Sequence, residues 1–172
     1  LTQSENVYRN DSRYYYAHTL YVDGKHDDAL TYFNMIKDDD KYKDIANTYI
    51  LQINFEKGNY AEVTRNGDEV LDNIKKKNKS DVALMMAEAW NQQNDYAKSL
   101  EYYDVALKNN SRKLPREVEF KIGFCKMKTN DYEGALSHFA KVTDSDDELS
   151  QYGSYYMAQC YTNTKQDKFA RN

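Results

Sequence analysis

Proline occurs once in the 172 residues, glycine six times and cysteine twice. So little proline and glycine excludes an all-β chain punctuated by tight turns. Two cysteines are too few for a disulfide framework, and the spacing of Cys125 and Cys160 matches no zinc motif. Long apolar runs are missing too. The longest is VALMMA, residues 82–87, far short of a bilayer span, so no direct membrane insertion is expected. Basic charge is not in excess: the net charge is -4, which gives no electrostatic reason to expect a nucleic acid or an anionic membrane as partner. What the chain does have is aromatic mass. Its 17 tyrosines, six phenylalanines and one tryptophan supply apolar area for a core despite a mean hydropathy of -0.98.

A pattern recurs. GKHDDALTYFNMI begins at Gly24, GNYAEVTRNGDEV at Gly58, NDYAKSLEYYDVA at Asn94 and NDYEGALSHFAKV at Asn130, and Lys165 falls at the next equivalent place. A period near 35 residues marks a repeat architecture. After each turn residue comes a ring (His26, Tyr60, Tyr96, Tyr132), then a small or modest residue (Ala29, Val63, Ser99, Ala135). One helical turn on lie Phe33, Gly67, Tyr103 and Phe139, followed by Ile36, Val70, Ala106 and Val142. These offsets of three and four define one helical face. Seven residues before each turn stand Ala17, Leu51, Ala87, Gly123 and Ala158, mostly small, as the close approach of two helices requires. The unit is therefore a helix–turn–helix.

This unit resembles the tetratricopeptide repeat, a helical hairpin of about 34 residues with small residues at set places in both helices. The resemblance runs from about Asp11 to the end. It implies an all-α chain, a right-handed α-α superhelix or solenoid of such hairpins, in a single domain over 1–172. The copies span 10–40, 42–78, 80–111, 115–144 and an incomplete 147–172. Copy two departs at Leu51 and Gly67, and copy four places Glu119 and Lys126 where the family usually has apolar residues. Because the chain opens with Leu1, and Ala170 falls where a second helix's small residue belongs just before the end, the natural protein is expected to be longer. The Tyr- and Asn-rich style resembles exported bacterial arrays and favours the cell envelope or periplasm over the cytoplasm.

Local charge and turn chemistry fit the hairpins. Pro115 suits a helix's first turn, TDSDDE (143–148) supplies a cap and an acidic first turn, and KKKNK (75–79) is expected at a helix's carboxyl end. The acidic runs at 38–44 and 144–148 lack the sixth-place glycine of a calcium loop and read as caps and solvated loops. No catalytic motif is present: GxSxG, HExxH, CxxC and the glycine-rich phosphate loops are all missing, so neither enzymatic activity nor a cofactor or metal is expected. Of the three histidines, His26 reads as a packed ring, His138 as facing out, and His18 as the one on a functional surface. Cys125 and Cys160, in equivalent first-helix places, read as buried free thiols.

In a stack of hairpins the first helices line the concave surface, where solenoids usually bind partners. The inward positions read Tyr14, His18 and Tyr21, then Thr48, Gln52 and Phe55, then Leu84, Glu88 and Asn91. Copy four gives Phe120, Phe124 and Met127; copy five gives Tyr155, Gln159 and Thr162. The family's carboxylate clamp uses a set of Lys, Arg and Asn at such places, and apart from Asn91 that set is not here, so a receptor for Hsp70 or Hsp90 tails is not expected. An aromatic and Met-rich wall fits the apolar side chains of a protein or peptide partner, with Phe120 and Phe124 as anchors. Two other readings stay open: a structural spacer whose groove is filled by its own chain, and, less favoured by the charge, an RNA-binding helical repeat. If copy four is shifted in register, its three groove residues become ordinary core.

Overall fold

The structure, a computed structural model, describes residues 3–110 and 113–164, with side chains from Arg9 onward. Among these residues there is helix and turn and no strand. First helices of the hairpins are α1 (Gln3–Val22), α3 (Lys43–Glu56), α5 (Lys76–Gln92), α7 (Arg116–Lys128) and α9 (Glu148–Asn163). Second helices are α2 (His26–Asn34), α4 (Tyr60–Asn73), α6 (Tyr96–Asn109) and α8 (Tyr132–Phe139). The chain divides into two compact units, Leu1–Ala89 and Trp90–Asn172. In the first, α1 packs on α2, α2 on α3 and α3 on α4; in the second, α6 packs on α7, α7 on α8, α8 on α9 and α7 on α9. The positions expected of a fifth second helix, Lys165 and Ala170, lie outside the described residues.

Each hairpin turns the same way. Gly24, Gly58, Asn94 and Asn130 have φ of 73°, 76°, 63° and 65°. In this left-handed region a Cβ meets the following carbonyl, so glycine sits there without strain and asparagine is the best tolerated alternative. The residue after each one donates its N–H to the carbonyl five positions back: Lys25 to Leu20, Asn59 to Asn54, Asp95 to Trp90 and Asp131 to Lys126. That bond closes the first helix by satisfying a carbonyl left over at its end. The next residue, the ring of the repeat pattern, is the first residue of the second helix in all four copies. Asp95 and Asp131 add side-chain caps, accepting from the Lys98 and Gly134 N–H groups.

The small positions let the two helices of a hairpin close on a large ring. In copy four an added Cβ at Gly123 would lie 2.9 Å from the Phe139 ring, so only glycine leaves room there. Ala17, Ala29, Ala87 and Ala135 are fully buried, as are Phe33 and Phe139. Copy two reverses the sizes, with Leu51 at the small place and Gly67 at the ring place, yet its turn keeps the register. A Cβ on Gly67 would fall 1.8 Å from Sδ of Met86 in α5, so the methionine occupies the volume that a ring fills elsewhere. Met86 is fully buried there, and its unbranched thioether suits an irregular gap.

Boundary expectations fare unevenly. Asp147 caps α9 by accepting from the Ser150 N–H, with Glu148 in the first turn. Asp39 accepts from the Lys41 and Tyr42 N–H groups and so orders the turn before α3, whose own N-cap, Tyr42, makes no side-chain cap bond. Pro115 stands one residue before α7, as its N-cap. The lysine run is a correction: Lys76 opens α5, so Lys76, Lys77 and Lys79 sit at a helix's amino end, where the macrodipole disfavours cations. Burial of Ser80, Val82, Ala83 and Met86 in α5 outweighs that small electrostatic cost.

The fit of Met86 to Gly67 can be tested directly. Gly67→Leu is expected to lower stability by about 1–3 kcal/mol through overpacking. Adding Met86→Ala should recover part of that loss, seen as a coupling between the two sites in urea denaturation. Independent, additive losses would remove the explanation for copy two.

Candidate functional site

In the first unit the expected face exists and is crowded with rings. Tyr14, His18 and Tyr21 form one stripe of α1, and each is half-buried. His18 lies edge-on to Tyr49 at 5.6 Å, and Tyr21 is 5.1 Å from the same ring. Tyr49 in turn stacks on Phe33 at 4.8 Å, with 7° between the planes. Polar atoms on this face also find one another: Gln52 Nε2 donates to the Tyr21 hydroxyl at 2.6 Å, and that hydroxyl donates to Glu56 at 2.8 Å. Burial and the bond to Glu56 push the Tyr21 phenol up to about 12, so it stays a donor through physiological pH. Thr48 donates its hydroxyl to the Asp44 carbonyl, and Phe55 meets Tyr60 edge-on at 5.7 Å. Leu84 and Glu88, on α5, are half-buried.

The second unit repeats the arrangement with different residues. Phe120 and Phe124 occupy the places of Tyr14 and His18, and Tyr156 the place of Tyr49. Phe124 is 5.5 Å from Tyr156, Phe120 is 5.6 Å from Phe139, and Tyr156 stacks on Phe139 at 5.8 Å with 19° between planes. Phe120, Phe124 and Met127 pack against the cluster of Ala135, Phe139 and Cys160, and all three keep partial exposure. Lys128 Nζ lies 5.2 Å over the Phe124 ring. Gln159 and Asn91 are half-buried, Thr162 is exposed, and Tyr155 is 58% exposed. Tyr49 and Tyr156 were missed in the sequence because they stand two residues before the small site, off the stripe assigned to the groove. A ring at that offset in both copies was the available signal.

Copy four's polar departures have partners. Glu119 is buried, and its Oε2 lies 2.7 Å from His138 Nδ1 and 3.0 Å from Lys141 Nζ. A neutral imidazole with its proton on Nδ1 donates to that oxygen. His138 therefore does not face out, a correction explained by the buried carboxylate that needs a donor beside Phe139. Lys126 pairs with Asp131 at 2.7 Å. His26 stacks on Tyr21 at 5.6 Å, as a packed ring should. Both cysteines are free and buried, and burial pushes the Cys160 thiol up to about 11, away from reactive thiolate. Among the described residues no group of three or more His, Cys, Asp or Glu could hold a metal ion, and no helix is long and apolar enough to cross a membrane.

No family model matches the chain, and no curated protein matches it. Solved structures do. YrrB, a TPR protein with an unusual peptide-binding site, aligns with a TM-score of 0.77 at 19% identity, over 92% of this chain and 79% of its own. MamA from Desulfovibrio magneticus RS-1 gives 0.73 at 12% identity, over 94% and 89%. Nearly identical TPR-like repeats from Podosopora anserina give 0.62 at 11%, over 95% and 90%. The chain has the tetratricopeptide repeat fold.

The Glu119 group makes a prediction about acid. Burial holds the His138 imidazole below its ordinary value of 6.5, and the Lys141 charge adds to this against the pull of Glu119. For Glu119, burial acts upward, but the hydrogen bonds from His138 and Lys141 outweigh it and leave the carboxyl below its ordinary 4.5. An imidazole that resists its proton when folded loses stability as pH falls from about 6.5, where the unfolded chain begins to protonate. The carboxylate, protonated less readily when folded, loses its share as pH falls below about 4.5. Both therefore weaken the fold in acid. His138→Gln, which can still donate but does not titrate, is expected to flatten the loss of stability between about pH 7.5 and 5.5 in urea denaturation. An unchanged slope would show that His138 does not carry it.

Proposed function

We propose that this chain is a non-catalytic interaction scaffold whose first-helix faces bind a protein or peptide partner. One observation carries the reading: Tyr14, His18, Phe120, Phe124 and Met127 are held in place by the core yet keep an exposed edge. Rings fixed in this way lose little freedom when they meet a partner, which favours them as anchors. In the second unit the wall is Phe120, Phe124, Met127, Tyr155 and Gln159; in the first it is Tyr14, His18, Tyr21, Gln52, Phe55, Leu84 and Glu88. That a similarly folded protein, YrrB, has a peptide-binding site supports the same reading. A net charge of -4 weighs against RNA. The spacer alternative draws support from Tyr21, Gln52 and Glu56, whose polar atoms already satisfy one another.

The test is selection of displayed peptides on the whole chain, followed by affinity measurement. Enriched sequences should share spaced aromatic or aliphatic residues. Phe124→Ala is expected to weaken binding by about 2 kcal/mol, near 30-fold, with helicity retained. Unchanged affinity in a folded Phe124→Ala variant would remove the aromatic wall as the site.

A further inference from the structure

A second surface of the first unit has the opposite chemistry. Between α2 and α4, floored by α3, runs a cleft of about 720 Å³, large enough for a short stretch of chain rather than for a single ion. Its floor is apolar, made by Leu30, Ile50, Leu51, Val70 and Ile74. Its walls are rich in asparagine. Asn34, Asn47, Asn54, Asn66 and Asn73 each donate their amide N–H to the backbone carbonyl four residues back, at 2.8–2.9 Å. Those bonds fix the polarity of the amides: nitrogen is turned to the helix, and oxygen is left as the outward atom. Asn54 spends its oxygen on Asn59. The oxygens of the other four accept no hydrogen bond among the described residues.

The charged residues of the cleft point the same way. Asp38, Asp44, Glu62 and Glu69 line it against Lys37 and Lys43. Lys43 leans to Asp40 at 3.5 Å, and Glu62 is held by Arg65 at 2.6 Å. Asp38, Asp44 and Glu69 have no ion pair among the described residues. The walls thus offer hydrogen-bond acceptors and negative charge in excess over donors, above a floor suited to aliphatic stems. A lysine or arginine side chain matches both features, its stem to the floor and its head to the walls. The backbone N–H groups of an extended chain match the asparagine oxygens.

We infer that this cleft is a docking site for an extended basic peptide segment, separate from the aromatic faces and independent of their proposed role. The probe is a short fluorescein-labelled peptide alternating lysine and alanine, titrated with the whole chain at low ionic strength and read by anisotropy. Asp44→Lys with Glu69→Lys is expected to weaken binding about tenfold or more. The same charge change on α6 and α8, Asp104→Lys with Glu133→Lys, should leave it within about twofold. All four side chains are exposed, so both double variants are expected to fold, which circular dichroism checks. Three outcomes overturn the site: no binding of the lysine peptide, equal weakening by both double variants, or spermidine competing as well as unlabelled peptide. The first two leave the aromatic wall unaffected, because its test uses other peptides and another residue.

Discussion

In copies one and four a single ring holds the hairpin and its neighbour together. Phe139 lies over Gly123 of its own hairpin closely enough that a Cβ would sit 2.9 Å away, and it carries Tyr156 of the next first helix in a stack at 5.8 Å. Phe33 does the same against Tyr49, at 4.8 Å. The ring therefore closes one hairpin and seats the next, so intrahairpin and interhairpin packing share a single side chain. Truncating it would open a cavity on both sides, where core deletions of this kind cost about 3–5 kcal/mol. This is how a solenoid whose units contact only their neighbours keeps its spacing.

The constraint is one of volume, and copy two shows how it can be met by other residues. Its ring position is Gly67, and the space is taken by Met86 from the helix that follows. Register survives because the left-handed turn at Gly58 is fixed by backbone geometry and by the bond from Asn59 to Asn54, independent of what fills the core. Turn and core are thus separately specified, which explains why a degenerate repeat remains in phase.

That separation also explains what could be read from the residues. The turn residues, the first residue of every second helix and the small positions recur at one period, so local chemistry marked them. Pairings that cross elements left no such mark. Glu119 looked like a misplaced charge because its partner, His138, lies 19 residues on and one helix away. Tyr49 and Tyr156 stand off the stripe of the groove positions, and only the stacked helix reveals what they cover. Charge alone places the lysine run at a carboxyl end, but the buried stripe of α5 begins at Ser80, directly after it, so Lys76, Lys77 and Lys79 belong to that helix's amino end.

The outer chemistry of the helices differs for a geometric reason. In α1 and α7 the rings beside the small site, Tyr14 and Phe120, pack on the ring of their own second helix, and with His18 and Phe124 they give an aromatic face. A second helix buries one stripe, such as Val63, Gly67 and Val70 in α4, and leaves the opposite side to solvent. There asparagine can bond back to its own helix and carboxylates stay hydrated, as at Asn66, Glu69 and Asn73. Core packing thus gives an aromatic face where first helices carry rings, and permits an acceptor-rich surface on α4 and on the side of α3 that lines the same cleft, at Asp44, Asn47 and Asn54. The two proposed sites share no residue, so partners of unlike chemistry would not compete for the same side chains.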